Sequence, residues 1–411
     1  MTNQINHTVL ALATRLGARG VGWRLLAVVA LIVGGPSTTA AQASRVDQIA
    51  DQQTAKASRL APEGPPGGEV VVKRVMSSRL LTGAGGVYPW FGSVYTGTGF
   101  GTGVGALRRQ ARGGALSAVA AVGVTGSLRF DAEWDIPALT ASEAIRPRLW
   151  ASWIDAKGIG HYGVGMDSLE EGRTQFDYQP TDVGAALDAS LGPWLEVTAS
   201  YGYLGVSTER HGTDSAETPL VGIGESIRYG VAALGAALDW RTSPGYSTRG
   251  GLLRVDWSRY DASGDARFSF DRTEVEVVHL VPLLHEQYVL AFRALMTETR
   301  PLSGDVVPFV FLPSIGGGST MRGLVNRRLH DRSRALVTAE YRWRPSRFLD
   351  MALFVDNGTV APRAADIRWN DFTTAWGIGA RLHGPAFTAL RVDAARGREG
   401  WVFVFSGGQP F

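Results

Sequence analysis

The chain has 411 residues, a formal net charge of +3 and no cysteine. Without cysteine, disulfides, thiol catalysis, thiolate metal sites and a lipidated cysteine anchor are all excluded. Only 19% of residues are charged against 45% apolar, with 52 glycines and 12 tryptophans, a balance that suits many strands with aromatic side chains facing lipid.

At the N-terminus, Arg15, Arg19 and Arg24 precede an apolar run over 25–33 and a small-residue stretch ending Ala41-Gln42-Ala43. This is the pattern of a secretory signal peptide over residues 1–43, cut after Ala43. A membrane anchor is the competing reading, but a spanning helix needs about 20 apolar residues and this run is far shorter. Residues 1–43 contain no Asp or Glu, so the remainder sets 38 basic against 38 acidic residues. The basic pI therefore belongs to the export signal, and no nucleic-acid partner is expected.

Residues 44–85 read as a short periplasmic helix and linker. Val46, Ile49, Ala50, Ala57 and Leu60 recur at helical spacing, and Pro62, Pro65 and Pro66 end the pattern. The segment is expected either to pack against a rim or to act as a plug or partner-docking helix.

From residue 86 onward the period is two. A first strand is expected to begin near Tyr88-Pro89-Trp90-Phe91 and to continue through Gly97, Gly99, Gly101, Gly103 and Gly105. No Gly-Lys-Ser/Thr follows, so the glycines are not a phosphate loop; on one face of a strand they mark close backbone approach or a weak, bendable segment. Alternation resumes over 128–136, 148–154, 183–191, 195–206 and 226–240, with a polar external loop expected over 207–224. Asp239-Trp240-Arg241-Thr242-Ser243-Pro244, followed by Thr248-Arg249-Gly250, reads as a turn between strands. Further alternating runs follow at 253–258, 274–277, 287–296, 376–382 and 390–394. The last strand is Trp401-Val402-Phe403-Val404-Phe405, and Phe411 closes the sequence. Such alternation fits a soluble sandwich, with its apolar face on a core, as well as a membrane barrel, with that face on lipid.

The stretch over 315–358 organises the rest. Gly316-Gly317-Gly318 leads into Ser319-Thr320-Met321-Arg322-Gly323-Leu324, on what must be a long loop. Two strands follow. Ala335, Val337, Ala339, Tyr341 and Trp343 alternate with Thr338, Glu340 and Arg342; Met351, Leu353 and Val355 alternate with Phe354, Asp356 and Gly358. Each strand thus carries a carboxylate on the face opposite its apolar one. A carboxylate in a confined space needs a cation, and a guanidinium suits bidentate pairing.

These three motifs in order resemble the C-terminal barrel of BamA/TamA-type outer-membrane assembly factors, the bacterial surface antigen superfamily. In this chain Leu324 stands where that family usually has an aromatic residue. The resemblance implies an all-β, transmembrane antiparallel β-barrel of 16 strands over 86–411, where pattern alone gives 14 to 16. It further implies a long loop folded into the lumen, with Arg322 paired to Glu340, Asp356 or both. The turn at 239–250 and the Gly160-His161-Tyr162-Gly163-Val164-Gly165 piece are similar to others of the family. Phe411 after an aromatic strand resembles the signal read by the outer-membrane assembly machinery. The family's periplasmic POTRA modules do not fit between Ala43 and the first strand, so a barrel-only relative is expected.

The chemistry of an enzyme is not evident. Gly317-Gly318-Ser319-Thr320-Met321 lacks the last glycine of a nucleophile elbow, and the seven histidines show no paired metal spacing. No enzyme activity, metal or cofactor is expected. By resemblance the first strand, over 97–107, meets the last, with Trp401, Phe403 and Phe405, at a weak seam in the outer membrane. The implied function is insertion or translocation of outer-membrane proteins, with lipid and unfolded clients as partners. The alternative is a passive channel or structural surface protein that kept only the fold.

Overall fold

A computed structural model of the protein describes residues 85–411, apart from 141, 213–219, 244, 265–266, 285, 385–387 and 410. The expected signal peptide and nearly all of the helix and linker lie outside these residues.

Sixteen strands form one antiparallel sheet in chain order, curled into a nearly closed barrel. They are β1 (Gly86–Gly92), β2 (Gly101–Arg109), β3 (Ala115–Gly123), β4 (Leu128–Asp135), β5 (Ile145–His161), β6 (Thr174–Ser190), β7 (Leu195–Arg210) and β8 (Ser226–Asp239). The second half comprises β9 (Gly250–Ala262), β10 (Phe270–Leu283), β11 (Tyr288–Pro301), β14 (Ser333–Ser346), β15 (Leu349–Ala361), β16 (Thr373–His383), β17 (Thr388–Gly397) and β18 (Gly400–Ser406). Between β11 and β14 a small hairpin, β12 (Ser314–Ile315) with β13 (Leu329–His330), belongs to a separate two-stranded sheet. That hairpin is the stem of the loop over 302–332, which folds inward.

Alternation fixes which way each side chain points, because a one-residue slip would turn every apolar group inward. Leu234, Val255, Leu353, Trp376 and Phe403 are exposed on the outside. A soluble monomer does not display so continuous an apolar surface; a membrane barrel must. The inside carries Glu340, Arg342, Asp356, Arg381, Arg391 and Asp393, all buried.

The expected single first strand is in fact two. Gly97 and Gly99 have φ of +99° and +77°, a left-handed backbone that breaks a strand and suits glycine. They lie in the turn joining β1 to β2, while Gly101 and Gly103 lie within β2. The edge strand is therefore β1, and the glycine-rich strand stands one position inside it. Gly105 leaves room for the ring of its partner Tyr88: a Cβ there would come within 2.2 Å of that ring. The glycines accommodate neighbours within the wall rather than weakening the edge itself.

β3 was not legible by alternation, because in Ala-Leu-Ser-Ala-Val-Ala-Ala-Val-Gly both faces are small and similarly apolar. Wall height varies around the barrel. β5 and β6 have 17 residues each, whereas β1 and β18 have 7 each.

Candidate functional site

The inward loop closes the lumen at two levels. Nearer the long-loop end, a short 3-10 turn, Phe309–Phe311, is buried with Val307 and Leu312 against Ile159, Phe176, Tyr229 and Phe270. Deeper in, Ile315, Met321, Leu324 and Leu329 pack with Leu295, Leu336 and Val360. Leu324, in the position where an aromatic residue was the family expectation, is 0% exposed. An aliphatic side chain seals that position.

The tip is a tight structure built on backbone bonds. The Gly317 N–H donates to the carbonyls of Met321 (3.1 Å) and Leu324 (2.9 Å), and its φ of +94° favours glycine. Thr320 Oγ1 accepts from the Gly316 N–H at 2.9 Å. Gly323 is pressed so closely onto β16 and β17 that a Cβ would lie 2.4 Å from Ala375 Cβ and 2.8 Å from Gly397 N.

This tip aims Arg322 at two carboxylates together. Its Nε and Nη2 donate to Asp356 at 2.8 and 2.7 Å, and its backbone N–H donates to the same carboxylate at 3.1 Å. Nη1 donates to Glu340 Oε2 at 2.6 Å. The guanidinium carbon sits 3.3 Å from the ring centroid of Phe354, a cation–π contact within a buried site. The register explains the convergence. Thr338 pairs with Asp356 and Glu340 with Phe354, and Phe354 faces Gly377 on the next strand. A Cβ on Gly377 would come within 2.5 Å of the Phe354 ring, so that glycine makes the platform for Arg322.

The cluster is larger than the sequence indicated. Arg342 Nε donates to Glu340 Oε1 at 2.7 Å, and Arg381 Nη2 to Glu340 Oε2 at 3.0 Å. Asp393 lies 3.3 Å from Arg381, 3.2 Å from Arg391 and 4.0 Å from Arg322. Four guanidiniums thus face three carboxylates. Arg391 Nη2 also donates to the Gly318 carbonyl at 2.7 Å, and Arg293 Nη1 to that of Ser319 at 2.6 Å. Sequence reasoning missed Arg381, Arg391 and Asp393 as members of the site. Their alternation with apolar neighbours placed them in the lumen, and the charges at that depth were the available signal.

Arg322 is held protonated more firmly than usual: burial opposes its charge, and the hydrogen bonds and charges of Asp356 and Glu340 outweigh burial. His330, on the loop stem, is shifted well below the ordinary imidazole range, by burial first and then by Arg327.

The other expected positions are distributed as follows. Tyr341 faces outward and stacks with Tyr288 and Trp343. Gly358 faces the loop, where a Cβ would lie 3.1 Å from Ile315 Cδ1. Trp401, Phe403 and Phe405 project outward from β18, at 51%, 66% and 71% exposure. Phe411 turns back into the barrel beside Leu252, Val278 and Val289, with its ring 5.2 Å from the Arg342 guanidinium. Among the described residues β1 and β18 each pair with one neighbour only, so the sheet order ends at both.

The turn over 240–249 is also built as a site. Tyr246 stacks on His383 with ring centroids 4.0 Å apart and donates to Asp350 at 2.7 Å. Burial, followed by the hydrogen bond to Asp350, raises its hydroxyl above the usual phenol range. Among the described residues, no group of three or more acidic or histidine side chains is arranged to hold a metal.

No protein-family model and no curated protein matches the chain. Solved structures do. BamA from Haemophilus ducreyi lacking POTRA domains 1–3 superposes with a TM-score of 0.59 at 13% identity, over 78% of this chain and 69% of that one. CdiB from Escherichia coli gives 0.52 at 14% identity, over 78% of this chain and 61% of that one. The described residues of this chain therefore form a 16-stranded barrel with a fold similar to those of BamA and CdiB, its long loop folded into the lumen.

Proposed function

We propose that the protein is an outer-membrane factor of a Gram-negative-type bacterium that assists insertion or translocation of other outer-membrane proteins. The carrying observation is the relation between loop and seam. The tip bearing Arg322 is clamped to β14–β17 and touches Val404 on β18 through Gly318, while β1 and β18 are short and, among the described residues, each paired on one side only. A spanning strand needs about 9–11 residues, and these two have 7 each. The membrane beside them is held thinner than around β5–β7. Thinned lipid next to an unpaired strand edge lowers the cost of adding a strand there, since main-chain groups at such an edge accept a partner strand.

In this reading the work is mechanical. No bond is made or broken, and no cofactor takes part. The partners are lipid, unfolded barrel clients, and the cell's assembly machinery for the protein's own insertion through its C-terminal aromatic strand. A wide passive pore fits less well, because the loop fills the lumen at two levels.

The test is refolding the barrel into liposomes and adding a urea-unfolded barrel client. Client folding several-fold faster than on empty liposomes supports the proposal, with the gain lost in Arg322→Ala. Client folding no faster than on empty liposomes, together with large steady conductance unchanged by Arg322→Ala, would leave a simple channel.

A further inference from the structure

On the side of the loop stem away from the Arg322 cluster, β5–β7, β9–β11 and the stem surround a cavity of about 380 Å³. Tyr95, Tyr178 and Tyr260 line it together with Arg272, Arg327 and Arg334. Its carboxylates are already engaged. Glu274 pairs with Arg334 at 2.9 Å, and Asp182 accepts from Trp150 Nε1 at 2.9 Å.

That leaves two guanidiniums with no carboxylate within 4.0 Å among the described residues. Arg272 donates to Thr299 Oγ1 at 3.3 Å and to the Phe311 carbonyl, and lies over the Tyr260 ring. Arg327 is only 9% exposed, yet its Nε has no hydrogen-bond partner among the described residues. Its backbone is left-handed, with φ of +56°, a costly conformation for a residue bearing a side chain. The neighbouring residue holds it there. Arg328 is tied to Glu399 at 2.9 Å and to the Ser168 hydroxyl and carbonyl at 3.0 and 2.7 Å. Strained backbone thus delivers an unneutralised, buried cation to a cavity with aromatic walls. An uncompensated buried charge is expensive, and a bound anion would remove that cost.

We propose that this cavity binds a small organic anion, with a carboxylate or phosphate head between Arg272 and Arg327 and an apolar body against Tyr95, Tyr178 and Tyr260. The planar fork of each arginine suits both head groups, and a cavity in which aromatic side chains stand beside a few convergent polar groups can fix the orientation of a small ligand. A ligand there would brace the loop stem from the side opposite the Arg322 cluster.

The experiment is isothermal titration of the refolded barrel, in detergent and phosphate-free buffer, with benzoate, phenyl phosphate and uncharged benzyl alcohol. At least one anion is expected to saturate at one site per barrel, with benzyl alcohol binding at least tenfold more weakly. Arg327→Gln and Arg272→Gln should each weaken that anion at least tenfold. Folding of each variant is checked by its β-rich circular dichroism; if Arg327→Gln does not fold, Arg272→Gln decides alone. No saturable binding, equal binding of benzyl alcohol, or anion binding unchanged in the folded variants would overturn the assignment. No client is present in the titration, so its result is independent of insertion activity.

Discussion

Gly318 at the loop tip lies against Val404 of β18, so closely that a Cβ on the glycine would come within 2.6 Å of Val404 Cγ1 and 2.9 Å of Arg391 Nη2. The loop that seals the lumen therefore also touches the strand that ends the sheet. Gly318→Val forces one of them to move. Overpacking of this kind costs about 1–3 kcal/mol. We expect a lower unfolding temperature and more frequent channel openings in planar bilayers, because the edge strand yields more easily than the clamped loop. Unchanged conductance with lowered stability would show that the loop moves instead.

Arg322→Ala removes the cation shared by Glu340 and Asp356, both 2% exposed or less. Leaving a buried carboxylate pair short of its partner costs about 3–5 kcal/mol. Arg322→Lys is expected to recover only part of this, since a tetrahedral ammonium cannot reproduce the planar bidentate pairing with Asp356 while also reaching Glu340. Denaturant midpoints of the three proteins give the order wild type, then Lys, then Ala. Equal midpoints for Lys and wild type would mean that charge alone matters here, not the planar fork.

Much of this site could be read in the sequence because it rests on alternation and order. Period two put Glu340 and Asp356 on the lumenal face, and resemblance placed Arg322 above them. In the structure Arg322 meets both acids, and the two alternating runs lie in β14 and β15. What escaped reading depended on register across strands distant in sequence. Asp393 reaches Arg322 only because β15, β16 and β17 align Phe354 with Gly377 and Gly379 with Asp393, and alternation within a strand carries no such information. The same limit misplaced the edge strand. Glycine at every second position looks like one extended strand, whereas the positive φ of Gly97 and Gly99 makes a turn between two.

Gly323 and Gly397 bring the loop and β17 together backbone to backbone. A Cβ on Gly397 would lie 2.1 Å from the Gly323 carbonyl oxygen, and one on Gly323 2.8 Å from Gly397 N. Neither obstacle is a flexible side chain, so each alanine substitution must separate the two segments. We expect about 3 kcal/mol for either, and clear non-additivity in the double mutant, because the first separation already makes room for the second methyl. Additive losses would show that the two sites relax independently.

Acid should loosen the loop stem. His330 is 0% exposed and its ring lies 4.8 Å from that of His161, which meets Phe309 edge-on. None of the four imidazole nitrogens has a hydrogen-bond partner among the described residues, and the charged groups acting on His330 besides His161 are Arg327 and Arg328. Burial, then Arg327, His161 and Arg328, hold the His330 pKa well below 6.5 in the folded protein. In the window between that depressed value and 6.5 the unfolded chain binds a proton that the folded one refuses, so stability rises with pH. The full contribution is present above about pH 6.5 and is lost as pH falls through the window, at up to about 1.4 kcal/mol per pH unit. The unfolding temperature of the detergent-solubilised barrel should therefore drop between pH 7 and pH 5. His330→Leu, which keeps an apolar filling and removes one of the two neighbouring imidazoles, should reduce that drop. An equal drop in wild type and variant would place the acid sensitivity outside His330.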